Sequence, residues 1–119
     1  MDVIFVRHGS AQDSSEADDD QRQLTDRGRT EVTTTARALR ELGLKLSAVL
    51  TSPAARAVQT AHILAEVHDG ARLETAEMLA HPADPKAVRS RLQQLLAEDV
   101  ECVALVGHDA YGRGQAIVG

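Results

Sequence analysis

Two histidines and two arginines stand where apolar runs of the chain end. Val6 leads into Arg7-His8-Gly9, Leu50 into Thr51-Ser52-Pro53 with Arg56 one turn on, and Val106 into Gly107-His108. If these runs are parallel strands of an open α/β sheet, a ligand site lies outside their carboxyl ends and the four side chains converge on one rim. Each guanidinium offers paired N–H donors that suit an oxyanion with several oxygens, a phosphoryl group above all. A helix opening at Ser52-Pro53 adds free backbone N–H groups and the positive end of its dipole. A neutral imidazole, with a free pKa of about 6.5, can attack phosphorus near neutral pH while a second histidine donates to phosphoryl oxygens. Positioning and charge neutralisation supply most of phosphoryl-transfer catalysis, and arginines can do here what Mg²⁺ does elsewhere. The expected chemistry is a metal-independent phosphotransfer with no cofactor.

The elements that must position these residues follow from the hydrophobic pattern. Asp2 to Val6 reads as a buried parallel strand feeding a loop. Ser10 to Gln23 is almost without apolar residues and reads as a mobile surface loop. It is a poor calcium loop, because it lacks the glycine turn and the distal glutamate. Thr25 can cap a helix from Asp26 to Leu42, with Val32, Ala36, Leu39 and Leu42 on one face and Gly43 ending it. Ala48 to Thr51 is a second strand. Ser52 as N-cap and Pro53 at the first helical position then open a helix with Val58, Ala61 and Ala65 facing inward. Arg72 to Thr75 is a third strand, followed by an irregular stretch from Ala76 to Ala83. Asp84-Pro85 starts a helix whose buried stripe is Val88, Leu92, Leu95 and Leu96, and Glu101 to Val106 is the last strong strand. Gln115 to Val118 can add an edge strand. Strands alternating with helices imply an α/β fold, a three-layer αβα arrangement of a mainly parallel sheet with helices on both faces. Residues 1–119 read as one domain.

The composition narrows the function. The 13 Lys plus Arg against 18 Asp plus Glu leave a formal charge of −5, with no basic stripe, which excludes a general nucleic-acid binder. Apolar runs stay far below the 18 or so residues of a membrane span and no basic leader precedes one, so a soluble, cytoplasmic protein without membrane contact is expected. Nineteen alanines, with Phe5 and Tyr111 the only aromatic residues, imply a light aliphatic core packed by closely approaching helices. The lone Cys102 lies in an apolar run and reads as a buried, inert thiol. His62, His68 and His81 fit no metal-ligand spacing and read as surface residues, as do the helix threonines Thr33, Thr34 and Thr35.

Four ordered elements carry a family resemblance: Val6-Arg7-His8-Gly9; Arg22-Gln23-Leu24-Thr25 with Gly28; Thr51-Ser52-Pro53-Ala54-Ala55-Arg56-Ala57-Val58-Gln59-Thr60-Ala61; and Val106-Gly107-His108. Together they resemble the histidine phosphatase superfamily, also called phosphoglycerate mutase-like, and the compact spacing is similar to its SixA-type phosphohistidine phosphatases. The resemblance implies that His8 is the nucleophile that becomes phosphorylated. Arg7, Arg56 and His108 would complete the phosphate pocket, and Arg22 would approach the phosphate or the substrate from the loop. Members that cleave phosphate esters protonate the leaving alkoxide with a carboxylic acid, and Glu77 falls where such a group would lie. It also implies a sheet with the fourth strand between the first and second. SixA-type chains continue past the second histidine through further elements, so this chain reads as C-terminally shortened. The far edge of strand one is then expected to be covered by residues 115 to 118 or by a partner chain in a homodimer.

The leading reading is therefore a metal-independent phosphatase acting through a phosphohistidine intermediate, with phosphohistidine on a phosphotransfer or signalling protein as substrate. Two alternatives stand beside it. One is a phosphatase of small phosphoesters that depends on Glu77. The other is a catalytically impaired module that binds phosphate or a phosphoprotein without turnover.

Overall fold

A computed structural model describes residues 1–12, 21–80 and 82–108, and the backbone of 116–118. The expectations placed on residues 13–20 of the polar loop, on His81, on Tyr111 and on Gln115 lie outside the described residues.

The chain runs β1 (Asp2–Arg7), α1 (Asp26–Glu41), β2 (Ala48–Thr51), α2 (Ala55–Val67), β3 (Arg72–Thr75), a 3₁₀ turn (Glu77–Leu79), α3 (Pro85–Ala97), β4 (Cys102–Gly107) and β5 (Ala116–Val118). The five strands form one parallel sheet in the order β3-β2-β4-β1-β5, so β4 does lie between β1 and β2. The register aligns the strand ends: Val6 and Thr51 both pair with Val106, and Arg7 pairs with Gly107.

Because a strand turns successive side chains to opposite faces, each face of the sheet builds its own core. Ile4, Val6, Val49, Ala104 and Val106 pack against Val32, Ala36 and Leu39 of α1 and Ala57, Ala61 and Leu64 of α2. Ala48, Leu50, Val103 and Leu105 pack against Val88 and Leu95 of α3 and Leu79 of the 3₁₀ turn. The three-layer αβα fold is thus present, with Ala36 of α1 and Ala57, Ala61 and Ala65 of α2 in its core. No helix among the described residues is long and apolar enough to cross a membrane. Cys102 is buried at the start of β4, where burial pushes its thiol pKa up.

The helix ends follow local chemistry. Gly28 N–H donates to the Thr25 hydroxyl at 3.0 Å to cap α1. Gly43 at φ 82° turns the chain out, with Leu44 N–H donating to Leu39 O. Helix α1 stops at Glu41, which leaves Leu42 76% exposed instead of on the inner face. Asp84 caps α3 by accepting from Ala87 N–H, with Pro85 in the first turn. Arg91 on α3 then donates twice to the Glu74 carboxylate on β3, at 2.8 and 2.7 Å, which holds that carboxyl below its usual range.

Four further expectations are corrected. Helix α2 starts at Ala55 with Ala54 as an N-cap that makes no side-chain bond, so Ser52 is not the cap. Its inward face is Ala57, Ala61, Leu64 and Ala65, with Val58 only half-buried, because the buried Arg56 and Thr60 rotate that face by one residue. On α3, Leu92 is half-buried and Leu96 is 55% exposed, since one helix over one sheet face buries a narrower stripe. His68 is buried rather than on the surface: Leu46 N–H donates to its Nδ1 at 3.0 Å, and its Nε2–H donates to Ala36 O at 2.9 Å. The ring thereby ties the end of α2 to α1 and to the approach to β2.

At the far edge of β1, residues 5–7 pair with the β5 backbone. A homodimer through this edge would therefore have to build on β5 over that stretch.

Replacing His68 removes both a packed ring and the partners of two buried backbone groups. His68→Ala is expected to cost about 2–4 kcal/mol of stability, measured as a fall in urea midpoint at unchanged m-value.

Candidate active site

The sheet delivers the site residues by extending its ladder past the strand ends. His8 N–H donates to Gly107 O at 3.1 Å and Ser52 N–H donates to Val106 O at 2.9 Å. His8, Ser52 and His108 consequently leave three adjacent strands, β1, β2 and β4, side by side. Arg56, on the second residue of α2, reaches back over the same rim.

Arg56 is the hub of the cluster. Its side chain is only 4% exposed. Nε–H donates to His8 Nε2 at 3.2 Å and Nη2–H donates to His108 Nδ1 at 2.9 Å, while the two imidazole rings lie edge to face, 5.7 Å apart. A guanidinium has no lone pair to offer, so both ring nitrogens facing it must be acceptors. Their tautomers follow. His8 carries its proton on Nδ1 and donates to Gly9 O at 2.8 Å. His108 carries its proton on Nε2, which faces Ser52 Oγ at 2.9 Å.

The electrostatics push His8 the same way. Its pKa lies below the ordinary imidazole value, chiefly because burial disfavours the charged ring. The charges of Arg56, Arg7 and Arg22 add to that effect, and the bond to the Gly9 carbonyl opposes it. The Nε2 lone pair is therefore retained at neutral pH, beside a cationic hub suited to an oxyanion.

Helix α2 is anchored to the loop that bears His8. Gly9 N–H donates to Thr60 Oγ1 at 3.2 Å and the Thr60 hydroxyl donates to Arg56 O at 2.8 Å. Leu24 N–H donates to Gln59 Oε1 at 2.8 Å. From the other side, Ser10 donates through its N–H and its hydroxyl to Glu31 on α1, and Thr25 N–H donates to Ser10 O. Those bonds hold the Glu31 carboxyl below its usual range. Loop and helix approach so closely that a Cβ on Gly28 would sit 2.1 Å from Ser10 O, and one on Gly9 would sit 2.8 Å from Gly28 O.

Of the six residues expected in the site, His8, Arg56 and His108 are brought into direct contact. Arg7 is exposed at the end of β1 and Arg22 is half-buried, its Nε–H donating to Gln12 O at 2.5 Å; both act on His8 through their charge. Glu77 is exposed at the start of the 3₁₀ turn, and its carboxylate bonds to no described residue. Ser52 and Thr60 belong to the cluster and were not singled out as site residues. Thr60 stands four residues after Arg56, the helical spacing that puts both on one face. Among the described residues, no three His, Cys, Asp or Glu side chains group so as to hold a metal ion.

Fold and site together define a three-layer α/β protein with two histidines gathered on a buried arginine at the carboxyl edge of its sheet. The chain belongs to the histidine phosphatase superfamily (branch 1), whose family model matches residues 3–81. It is 38% identical over 109 residues to an uncharacterised protein of Picosynechococcus sp., covering 91% of this chain and 66% of that protein. It is 39% identical over 83 residues to the mitochondrial serine/threonine-protein phosphatase Pgam5 of Drosophila virilis, covering 68% of this chain and 28% of the relative. Among solved structures it is similar to the protein histidine phosphatase SixA complexed with tungstate, with a TM-score of 0.78 and 34% identity over 91% of this chain and 69% of that one.

Two measurements check this geometry. The His8 ring, followed by NMR, is expected to titrate below pH 6.5. Because its folded pKa is depressed, the stability it contributes is present above the unfolded value of about 6.5 and is lost as pH falls through the folded one. Gly28→Ala is expected to push the Ser10 loop off α1 and cost about 1–3 kcal/mol in thermal or urea unfolding.

Proposed function

We propose that this chain is a phosphatase that works through a phosphohistidine intermediate on His8, without a metal ion. Its substrate class is phosphohistidine on a phosphotransfer or signalling protein of the cytoplasm. The observation that carries this reading is the orientation of His8: Nδ1–H is tied to the Gly9 carbonyl, and the lone pair on Nε2 accepts from the buried Arg56.

An incoming phosphoryl dianion competes with the neutral His8 ring for the Arg56 N–H groups, and the charged acceptor is favoured. Arg56 then turns to the phosphoryl oxygens, which frees the Nε2 lone pair at the phosphorus. Arg7 and Arg22 add charge neutralisation from the rim. His8 Nε2 attacks phosphorus, and the bond from phosphorus to the leaving nitrogen breaks. The leaving imidazole keeps the electron pair and takes a proton from solvent. The Gly9 carbonyl supports the positive charge that the His8 ring acquires. Water then attacks the phosphorus, the P–Nε2 bond breaks, its pair returns to His8, and inorganic phosphate departs. His108 flanks the phosphoryl group on the other side of Arg56. Binding of tungstate, a tetrahedral oxyanion, by the SixA relative supports an anion pocket of this kind.

A second reading has its own support. The 39% identity to a serine/threonine-protein phosphatase favours a phosphoester substrate, for which the alkoxide leaving group needs an acid. Glu77, exposed on the same edge of the sheet, is the residue that would supply it.

The test is hydrolysis of a phosphohistidine-carrying protein and of an aryl phosphate, in excess chelator, by the unaltered chain, His8→Ala and Glu77→Gln. Turnover of the phosphohistidine protein is expected to survive chelator and Glu77→Gln and to fall at least about 10³-fold in His8→Ala. Faster hydrolysis of the ester with loss in Glu77→Gln would establish the second reading. Phosphate binding by the folded chain without turnover would leave a binding module.

A further inference from the structure

Serine before proline is a common helix-cap signature, yet here the Ser52 hydroxyl faces a histidine. His108 follows β4, and its ring is held at both nitrogens: Nδ1 accepts from Arg56 Nη2–H at 2.9 Å, and Nε2 lies 2.9 Å from Ser52 Oγ. Since Arg56 can only donate, the neutral ring has its proton on Nε2, directed at the serine oxygen. Nδ1 is the nitrogen turned toward Arg56 and, through it, toward His8. Ser52 therefore grips the ring from behind and keeps Nδ1 turned to Arg56.

The serine is itself rigid. It is 1% exposed, its N–H donates to Val106 O at 2.9 Å, and its carbonyl accepts from the Thr51 hydroxyl at 2.9 Å. Its Oγ also accepts from Ala54 N–H at 3.3 Å. Rotating the His108 ring by half a turn would present carbon to both partners and forfeit both bonds. The pair Ser52 and Arg56 thus selects one ring orientation and one tautomer, which is the task of the third group behind a catalytic base in a triad.

We propose that Ser52 is a positioning residue for His108, its buried hydroxyl accepting the Nε2–H so that Nδ1 stays turned to Arg56 and holds that guanidinium beside His8. This rests on the phosphatase reading only for its effect on rate. In the unliganded protein it is a statement about one proton.

The experiment pairs histidine-ring ¹H–¹⁵N NMR of the unliganded chain with steady-state kinetics on a phosphohistidine protein, for the unaltered chain, Ser52→Ala and Ser52→Thr. The proposal expects a slowly exchanging proton on His108 Nε2 that disappears in Ser52→Ala and persists in Ser52→Thr, which keeps the oxygen. It also expects kcat to fall about tenfold in Ser52→Ala with KM within about twofold. An equally protected Nε2 proton in folded Ser52→Ala would overturn the contact, whether or not the chain turns over any substrate. Loss of that proton with kcat unchanged would overturn the positioning role.

Discussion

The structure turns on one buried positive charge. Arg56 is held almost wholly out of water, where an ion is costly unless its donors are used, and the two imidazoles accept from it. That single contact fixes much else. It requires a lone pair on the facing nitrogen of each histidine, sets the remaining proton of each ring on its far side, and contributes to the depressed pKa of His8. The acceptors demanded behind the rings are in place: a backbone carbonyl for His8 and a hydroxyl for His108.

Bringing residues 8, 56 and 108 together is a problem of topology, which a parallel sheet solves with crossovers. The strands β2, β4 and β1 are neighbours and end in register, so their loops emerge in one row. Helix α2 must then be held at a fixed height above that row. The bonds from Gly9 to Thr60 and from Thr60 to the Arg56 carbonyl do this within one turn of helix. On the opposite side, Gly28 lets α1 press against the Ser10 backbone, so the loop after β1 is clamped between two helices. The described residues of the site are bonded from both sides, above two aliphatic cores.

Much of this was legible in the residues. Continuous apolar runs marked β2 and β4 because both of their faces are buried, and Thr25, Gly43 and Asp84-Pro85 marked helix ends through their own backbone chemistry. The sheet order and the importance of Gly28 came from the family resemblance, since a contact between residues 10 and 28 leaves no periodic trace. Ser52 was misread because a serine that caps a helix and one that faces a distant histidine look alike in one dimension. His68 was misread by residue type. Its spacing from Ala57, Ala61 and Leu64 continues the inner stripe of α2, and a histidine with both nitrogens satisfied is at home there. Leu96 erred the other way, an apolar residue one step too far round α3. Glu77 could be placed only by its segment, which does not determine where a carboxylate points.

The sheet also contains a built-in chemical clock. Cys102, the chain's one thiol, opens β4, the strand flanked by β1 and β2 and covered on both faces. Burial keeps it protonated as well as enclosed, and only an accessible thiolate is nucleophilic. Alkylation of this thiol therefore has to wait for the start of β4 to open. The rate of a simple labelling reaction reports that opening at the end of β4 away from His108, without any probe being engineered into the protein.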